Sequence, residues 1–287
     1  MRTGLNRITA RVPGVAGCAV MVGLAHAASA AVHDTCMVPE RSAPGPGQAV
    51  RVALHESAVF PGPPAGWRPG GTREFFLVDA AGRLDLKDRI PEGTPPTPRV
   101  TLRSPGTTVV ALVSEPVYAV IPAREFQGRL KDEGHDDILE MRRRMKSAAS
   151  PGRERSGHYV KTLLNAGGIA SDVALANLSL VIEIVPEAQP AGVRPGGRLP
   201  VKVLFEGMPY AGGLVCATHA GLTAKPGPYA WCGRLDQDGR AAVPIEAPGW
   251  QLLRTARMRA LAGDGRADWA SYWAALTFEV PADRSPR

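Results

Sequence analysis

The sequence predicts a mainly β protein of two immunoglobulin-like β-sandwich domains with a short helical insert at residues 122–170. Three observations support this prediction. The 287-residue chain is longer than one average domain and can bury ample core. Its 32 glycines and 27 prolines exceed average usage and favour turn-rich β structure over helical bundles. Short apolar, β-branched segments recur between these turn residues along both halves of the chain.

The start of the chain indicates a secretory signal peptide over residues 1–30. Three arginines precede an apolar run from about Val12 to Leu24, and small residues follow up to Ala30. No other stretch approaches the roughly 20 apolar residues that a membrane helix needs, so no transmembrane segment is expected in the mature chain. The sequence therefore predicts a periplasmic or secreted protein.

The charge of the mature chain argues against nucleic acid as a partner. Removing the signal peptide removes three arginines and no acids, so the formal charge of +7 falls to +4. The basic run from Arg142 to Lys146 has no interleaved aromatic residues and fits no nucleic-acid-binding motif. This run is typical of a solvated helix end.

Residues 31–186 are predicted to form the N-terminal sandwich, including the insert. Its strands alternate with proline- and glycine-containing turns. They are expected at Val50–His55, Glu74–Asp79, Arg99–Leu102, Thr107–Val113 and Val117–Ile121.

The insert is predicted to contain three helical segments. The first begins at Pro122, and its apolar residues Phe126 and Leu130 lie four positions apart. The second spans Asp136–Lys146, with acids at its start and bases at its end, as the helix dipole favours. The third, Arg155–Ala166, is predicted from apolar residues at helical spacing and the two glycines that follow it.

Residues 187–287 are predicted to form the C-terminal immunoglobulin-like sandwich. The segment before it, Leu178–Val185, is expected to be a buried strand that returns to the first sandwich. The spacing of the later strands is typical of an immunoglobulin-like domain. They are expected at Leu199–Glu206, Gly213–Thr218, Tyr229–Leu235, Ala241–Ile245, Gln251–Met258 and Leu276–Val280.

Three cysteines remain after removal of the signal peptide. Cys216 and Cys232 fall on neighbouring predicted strands, and an oxidising compartment allows them to form a disulfide. Cys36 is left over, either as a free thiol or as a soft metal ligand.

Linear catalytic motifs are absent from the sequence. It contains no nucleophile elbow, phosphate-binding loop, dinucleotide fingerprint or C-x-x-C pair. His55-Glu56 opens like a zinc-protease motif, but Val59 stands where the second histidine is needed. The sequence therefore predicts a binding protein rather than an enzyme.

The predicted mature N-terminus carries the strongest candidate site. Cleavage after Ala30 leaves Ala31, Val32 and His33 as the first three residues. The α-amine, two backbone amides and the imidazole then form a four-nitrogen square-planar chelate, which suits Cu(II) and Ni(II). Cleavage one residue later leaves three nitrogens and a fourth position open to a donor such as His55 or Cys36.

An explanation without a metal-binding role remains open for each histidine. His33 is equally explained as one histidine in a mobile tail without a function. His135, His158 and His219 are expected at a helix start, on a helix surface and at a strand end respectively, in structural roles.

The C-terminal segment Ala267–Val280 resembles the ending of an exported bacterial family long catalogued as a domain of unknown function. That family is related to NikM, the periplasmic component of nickel and cobalt uptake transporters. The resemblance covers nearly all of residues 31–280, and weaker signals agree with it: the His33-Asp34 start, Pro46-Gly47, the segment from Arg153 to Leu164, and the Asp238-Gly239 turn.

The resemblance implies a periplasmic accessory protein that binds nickel or cobalt and has a membrane metal-uptake transporter as its partner. It also implies that His33 is a metal ligand. This sequence departs from the family pattern at Thr35 and Cys36, which replace an aromatic region, and at Arg257, where a histidine often stands. A second ligand from the strand that contains Arg257 therefore stays open.

Two other function classes compete with metal binding. A plain interaction module would bind a protein, peptide or glycan through its loops, and His33 would then play no role. A hydrolase whose site has no linear signature is the third hypothesis, since acidic pairs cannot be placed in space from one sequence.

Overall fold

The computed structural model describes residues 34–93, 97–222 and 229–282, so the predicted signal peptide lies outside the described residues. Within these ranges the chain forms sixteen β-strands and two α-helices. The helices are α1 (Ala123–Asp132) and α2 (Asp136–Arg144). The strands are β1 (Asp34–Pro39), β2 (Ala49–Ser57), β3 (Thr72–Asp79), β4 (Gly82–Asp85), β5 (Arg99–Thr101), β6 (Gly106–Ser114), β7 (Val117–Ile121), β8 (Gly152–Ala166), β9 (Ile182–Pro186), β10 (Arg198–Phe205), β11 (Met208–Pro209), β12 (Leu214–His219), β13 (Trp231–Arg234), β14 (Arg240–Pro244), β15 (Gly249–Ala260) and β16 (Trp269–Val280).

One large sheet runs through the whole molecule. Its strand order is β13-β12-β15-β16-β8-β6-β3-β4, and β7 pairs with the first part of β8. The strands pair antiparallel except at the centre, where β16 lies parallel to β8 with Trp269 opposite Glu154. This parallel pair joins strands from the two halves of the chain.

Two smaller sheets cover opposite faces of the large sheet. The sheet β1-β2-β5 packs on the face of the large sheet that carries Phe75 and Leu77. The sheet formed by β9, β10, β11 and β14 packs on the opposite face, which carries Phe76. Successive side chains of a strand point to opposite faces, which explains why neighbours in β3 enter different cores. The two sandwiches therefore share their central sheet.

The second half of the chain has the strand arrangement of an immunoglobulin-like sandwich. Seven strands run from β9 to β16 if the two-residue strand β11 is left aside. The first, second and fifth of these seven, β9, β10 and β14, form one sheet. The third, fourth, sixth and seventh, β12, β13, β15 and β16, belong to the other sheet. In a constant-type immunoglobulin domain the fourth strand instead joins the sheet of the first, second and fifth strands, and the other strands are distributed as they are here. The predicted class, mainly β sandwich with a short helical insert, is confirmed.

The prediction of a third helix at Arg155–Ala166 is wrong, because this segment belongs to β8. Tyr159 and Leu163 face one core of the large sheet, and Val160 and Leu164 face the other. A strand that is buried on both faces carries a near-continuous apolar run, which also contains pairs at helical spacing. The helical insert therefore ends soon after α2, well before residue 170.

The strand predicted near Leu178–Val185 was assigned to the wrong sheet. The observed strand β9 pairs antiparallel with β10, with Val185 opposite Lys202. It thus opens the second sandwich instead of closing the first. The division of the chain into domains at residues 186 and 187 stays a prediction, and the large sheet runs across it.

The two helices form a small core of their own against the ends of β15 and β16. Phe126 and Leu130 of α1 and Ile138 of α2 pack with Met258 and Trp269. No helix among the described residues is long and apolar enough to cross a membrane.

A glycine permits α1 to approach the sheet. A Cβ built on Gly152, the first residue of β8, would lie 2.4 Å from the ring of Phe126. This contact is too short for any side chain other than hydrogen. The helical insert is therefore seated directly on the start of the central strand.

The predicted disulfide between Cys216 and Cys232 is confirmed. The two residues lie opposite each other on β12 and β13, with their Cα atoms 4.1 Å apart. Cross-linking residues 16 apart stabilises the fold by about 3 kcal/mol on the chain-entropy estimate. A structural disulfide is compatible with a protein exported to an oxidising compartment.

Candidate functional site

The predicted chelating residues Ala31, Val32 and His33 lie outside the described residues, and the described chain begins at Asp34. Asp34 opens β1, and its side chain is only 12% exposed. Arg254 Nε donates a hydrogen bond to Asp34 Oδ1 at 3.1 Å. The Tyr229 hydroxyl lies 3.0 and 2.9 Å from the two carboxylate oxygens. The start of the described chain is therefore fixed by two side chains from β15 and from the segment before β13.

Arg254 is the centre of this anchor. Its two terminal nitrogens bind the carboxylate of Glu133, which follows α1, with Nη2 at 2.8 Å from Oε1. Its guanidinium also lies 5.1 Å from the ring centre of Tyr229 and 5.0 Å from that of Trp273. Arg254 thus ties the first strand, the helical insert and the large sheet together.

Burial and charge act in opposite directions on the pKa of Arg254. Desolvation lowers it, but the carboxylates of Glu133 and Asp34, together with Tyr229, raise it above its ordinary value. Burial also raises the pKa of the Tyr229 hydroxyl. At neutral pH the guanidinium of Arg254 is therefore charged and the phenol of Tyr229 neutral.

A cavity of about 510 Å³ opens beside this anchor. It lies between β1, β2, the turn before β3 and the middle of β8. The polar side chains that line it are Thr35, Glu56, Arg68, Thr72, Ser114, Glu115 and His158.

His158 is the imidazole in this cavity. It lies on β8, where its ring stacks on Trp273 with ring centres 6.1 Å apart, and its backbone N–H donates to Ser114 Oγ at 3.0 Å. Burial lowers the pKa of His158 to about 4, with Arg129 and Arg254 acting in the same direction. The ring is neutral at physiological pH and retains a nitrogen lone pair. The expectation that His158 lies on a helix surface is wrong, because the residue belongs to the strand β8.

The two donors proposed from the sequence lie elsewhere. His55 and Cys36 are cross-strand partners in β2 and β1, and both are buried. Leu54 and Glu56 line the cavity, so strand alternation directs His55 to the opposite face. Its Nδ1 lies 3.1 Å from the carbonyl oxygen of Gly62 and donates to it. Burial lowers the pKa of His55.

Cys36 is a free, buried thiol. Burial raises its pKa far above the ordinary value, and the nearby charge of Asp34 adds to the effect. Since a thiolate is the form that binds metals, Cys36 is a poor ligand in the folded protein. The structure therefore places His158, and neither Cys36 nor His55, in the cavity that Thr35 lines.

His135 and His219 do not line this cavity. His135 precedes α2 and is buried, and burial lowers its pKa to about 4. His219 ends β12, with its Nδ1 3.1 Å from the carbonyl oxygen of Ala220. Among residues 34–93, 97–222 and 229–282, no group of three or more histidine, cysteine or acidic side chains is arranged to hold a metal ion.

The anchor was missed by sequence reasoning, although one signal pointed to it. Arg254 stands inside β15 among buried residues, after Leu252 and Leu253 and before Thr255. A charged residue in such a run needs an opposite charge, because an unpaired buried charge is costly. The partners Asp34 and Glu133 are more than 100 residues away in sequence, so their identity requires the fold.

Comparison with known proteins gives one family match. The model of DUF4198, described as "Domain of unknown function (DUF4198)", matches residues 30–259. The comparison with curated proteins gives no match. Among solved structures, the D0-D1 domain of intimin aligns at 12% identity, covering 85% of this chain and 97% of that one, with a TM-score of 0.22. At that TM-score the likeness carries no argument about fold or function.

Proposed function

The chain belongs to the DUF4198 family, and from this premise we propose that it is an exported, non-catalytic accessory protein that captures a divalent transition metal at its processed N-terminus. The cargo would be Ni(II), Co(II) or Cu(II). The partner would be a membrane metal-uptake transporter of the NikM-related kind, and the compartment the periplasm. The observation that carries the proposal is the anchoring of Asp34 beside the cavity that contains His158.

The anchor provides a fixed base for an N-terminal chelate. Asp34, the residue that follows the proposed chelate, is held by Arg254 and Tyr229. The next residue, Thr35, lines the cavity together with Glu56 and His158. A metal held by the α-amine, backbone amides and His33 would lie near this cavity, where a neutral imidazole is available.

The described residues by themselves do not form a metal centre. The proposed site therefore depends on the backbone and side chain of residues 31–33, with His158 as the donor from the folded protein. Nitrogen ligands in a square plane suit Cu(II) and Ni(II), and imidazole also suits cobalt. The role proposed for His158 depends on where the signal peptide is cut.

The first experiment is mass spectrometry of the exported protein, followed by calorimetric titration of that processed form with Ni(II), Co(II) and Cu(II). A start at Ala31 supplies four nitrogens, so His33→Ala should abolish tight binding and His158→Gln should leave it unchanged. A start at Val32 supplies three, so His158→Gln should weaken binding by about tenfold or more.

The matched control is His219→Gln, which removes an imidazole remote from the cavity and should not change metal affinity. A start at any other residue contradicts the proposal. So does metal binding of the same strength in wild type and His33→Ala.

A second candidate function is an interaction module that binds a protein or peptide partner, and β7 favours it. Within the described residues β7 pairs only with β8, and Val117 and Val120 are 56% and 69% exposed. An exposed apolar edge strand is suited to pair with a strand from another chain. This function predicts partner binding that Val120→Lys weakens and His33→Ala leaves unchanged, with no specific metal affinity.

A further inference from the structure

A second cavity, of about 260 Å³, contains three arginines contributed by three different strands. Arg73 comes from β3, Arg155 from β8 and Arg259 from β15. The cavity wall around them is mixed, with Pro116, Val181 and the carboxylate-bearing Glu206 beside hydroxyl side chains. The hydroxyl side chains that line it are Ser114, Ser156, Tyr159, Ser271 and Tyr272.

Carboxylates neutralise these arginines only in part. Arg259 pairs with Glu206 at 2.9 Å, and Arg155 lies 3.8 Å from Asp264. Arg73 has no carboxylate within ion-pair distance in the described part of the chain, and its one hydrogen bond there is a 3.5 Å contact with the Tyr159 hydroxyl. Counting only the described residues, the three arginines and two carboxylates leave one positive charge uncompensated.

Two buried tyrosine hydroxyls, those of Tyr159 and Tyr272, line the cavity. The Ser271 hydroxyl is also buried, but it already donates to Glu154 and accepts from Trp273 Nε1. Arg259 donates to the Tyr272 hydroxyl at 2.8 Å. Burial raises the pKa of Tyr159, so its hydroxyl stays protonated and able to donate. A ligand in this cavity would meet guanidinium and hydroxyl donors together.

We propose that this cavity binds a small oxyanion with more than one negative charge, either a polycarboxylate or a phosphate compound. Guanidinium groups present paired N–H donors that match the oxygens of carboxylates and phosphates. The volume is slightly below the usual 300–1,000 Å³ of small-molecule pockets, so the ligand has few heavy atoms. The proposal is independent of metal capture, because His158 does not line this cavity and the test is made without metal.

The test is calorimetric titration of the processed, full-length protein in buffer cleared of metals with a chelating resin. The probes are orthophosphate, glycerol phosphate, succinate and citrate, each with acetate as the singly charged comparison. One family of probes should bind more tightly than acetate, and its identity assigns the ligand as a phosphate or a carboxylate. Binding should weaken as salt is raised, because salt screens these partly exposed charges.

Substitutions then locate the site. Arg73→Gln and Arg155→Gln should each weaken binding by about tenfold, the loss expected for hydrogen bonds to a charged group. Arg144→Gln is the matched control, since it removes one exposed positive charge on α2, away from the cavity. This control should bind like the wild type.

A variant that binds the oxyanion more tightly than wild type would show that the arginines bind the ligand and do not merely support the fold. Glu206→Gln removes the carboxylate that occupies Arg259 and should strengthen binding by about two- to fivefold, the worth of an exposed ion pair. The proposal is overturned if no probe binds more tightly than acetate. It is also overturned if Arg73→Gln and Glu206→Gln both bind like Arg144→Gln.

Discussion

The molecule contains two arginine clusters that differ in how far their charges are matched. Arg254 and Glu133 each have side chains only 4% exposed, and Asp34 and Tyr229 complete the group. In the second cavity Arg155 and Arg259 are 31% and 41% exposed, and Arg73 lacks a carboxylate partner among the described residues. The first cluster joins separate parts of the chain, whereas the second leaves donors available to a ligand.

This difference follows from the free energy of burying charge. A fully buried guanidinium is tolerated only when carboxylates and hydrogen bonds satisfy it, so a matched cluster is part of the folded core. A half-exposed guanidinium keeps much of its hydration and does not need an internal partner. Stability is therefore expected to depend on Arg254, and ligand binding on Arg73.

The largest expected effect comes from Arg254→Met. It leaves the carboxylates of Glu133 and Asp34 buried without their partner, so the free energy of unfolding should fall by about 3–5 kcal/mol. Urea denaturation at neutral pH measures this change. The control is Arg257→Met, which breaks an exposed pair with Asp137 and should cost less than about 1 kcal/mol. Equal losses in the two variants would show that the buried cluster does not carry stability.

The second prediction concerns the pH dependence of the helical insert, which is held by the same cluster. His135 is buried, and its Nε2 has no hydrogen-bond partner among the described residues. Burial lowers its pKa to about 4, against the opposing charges of Glu133 and Asp137, while Arg257 and Arg254 add to the lowering. The folded protein therefore resists protonation of His135 that the unfolded chain accepts near pH 6.5.

Stability contributed by neutral His135 is thus fully present above pH 6.5 and is lost as the pH falls towards 4. The loss should reach about 3 kcal/mol, from a shift of about 2.5 pH units at 1.36 kcal/mol each. Urea denaturation of wild type and His135→Gln at pH 7 and pH 4 measures this loss. Protonation of carboxylates lowers the free energy of unfolding of both proteins equally, so it cancels when the two losses are subtracted. His219→Gln should show the wild-type dependence, and parallel curves for wild type and His135→Gln would refute the assignment.

Much of the fold could be predicted from local patterns. The turn-rich composition and alternating segments gave most of the strands, and the acids and bases of α2 lie as the helix dipole favours. Strand β8 could not be identified, because burial on both faces removes the alternation that distinguishes a strand from a helix. The shared sheet also escaped prediction, since the parallel pairing of β8 with β16 leaves no local signal.

The candidate sites were less predictable than the fold. His33 stays a prediction, which rests on its place next to the predicted cleavage point in the sequence. The sequence predicts a structural role for His158 because the pattern of this segment resembles a helix, whereas the residue lies on β8. The convergence of Arg73, Arg155 and Arg259 depends on strands that are far apart in sequence, and arginines scattered along a basic chain give no pattern that marks three of them as neighbours.

The smallest expected effect completes the comparison of the two clusters. Arg73→Gln should change the free energy of unfolding by less than about 0.5 kcal/mol without ligand, because the side chain is exposed and has no ion-pair partner in the described chain. With a binding oxyanion at about 100 times its Kd, wild type should gain about 2.7 kcal/mol, and the variant, whose Kd is about tenfold higher, roughly half of that. Urea denaturation with and without the ligand measures both numbers. A variant that is destabilised without ligand, yet gains as much from ligand as wild type, would place Arg73 with Arg254 as a structural residue.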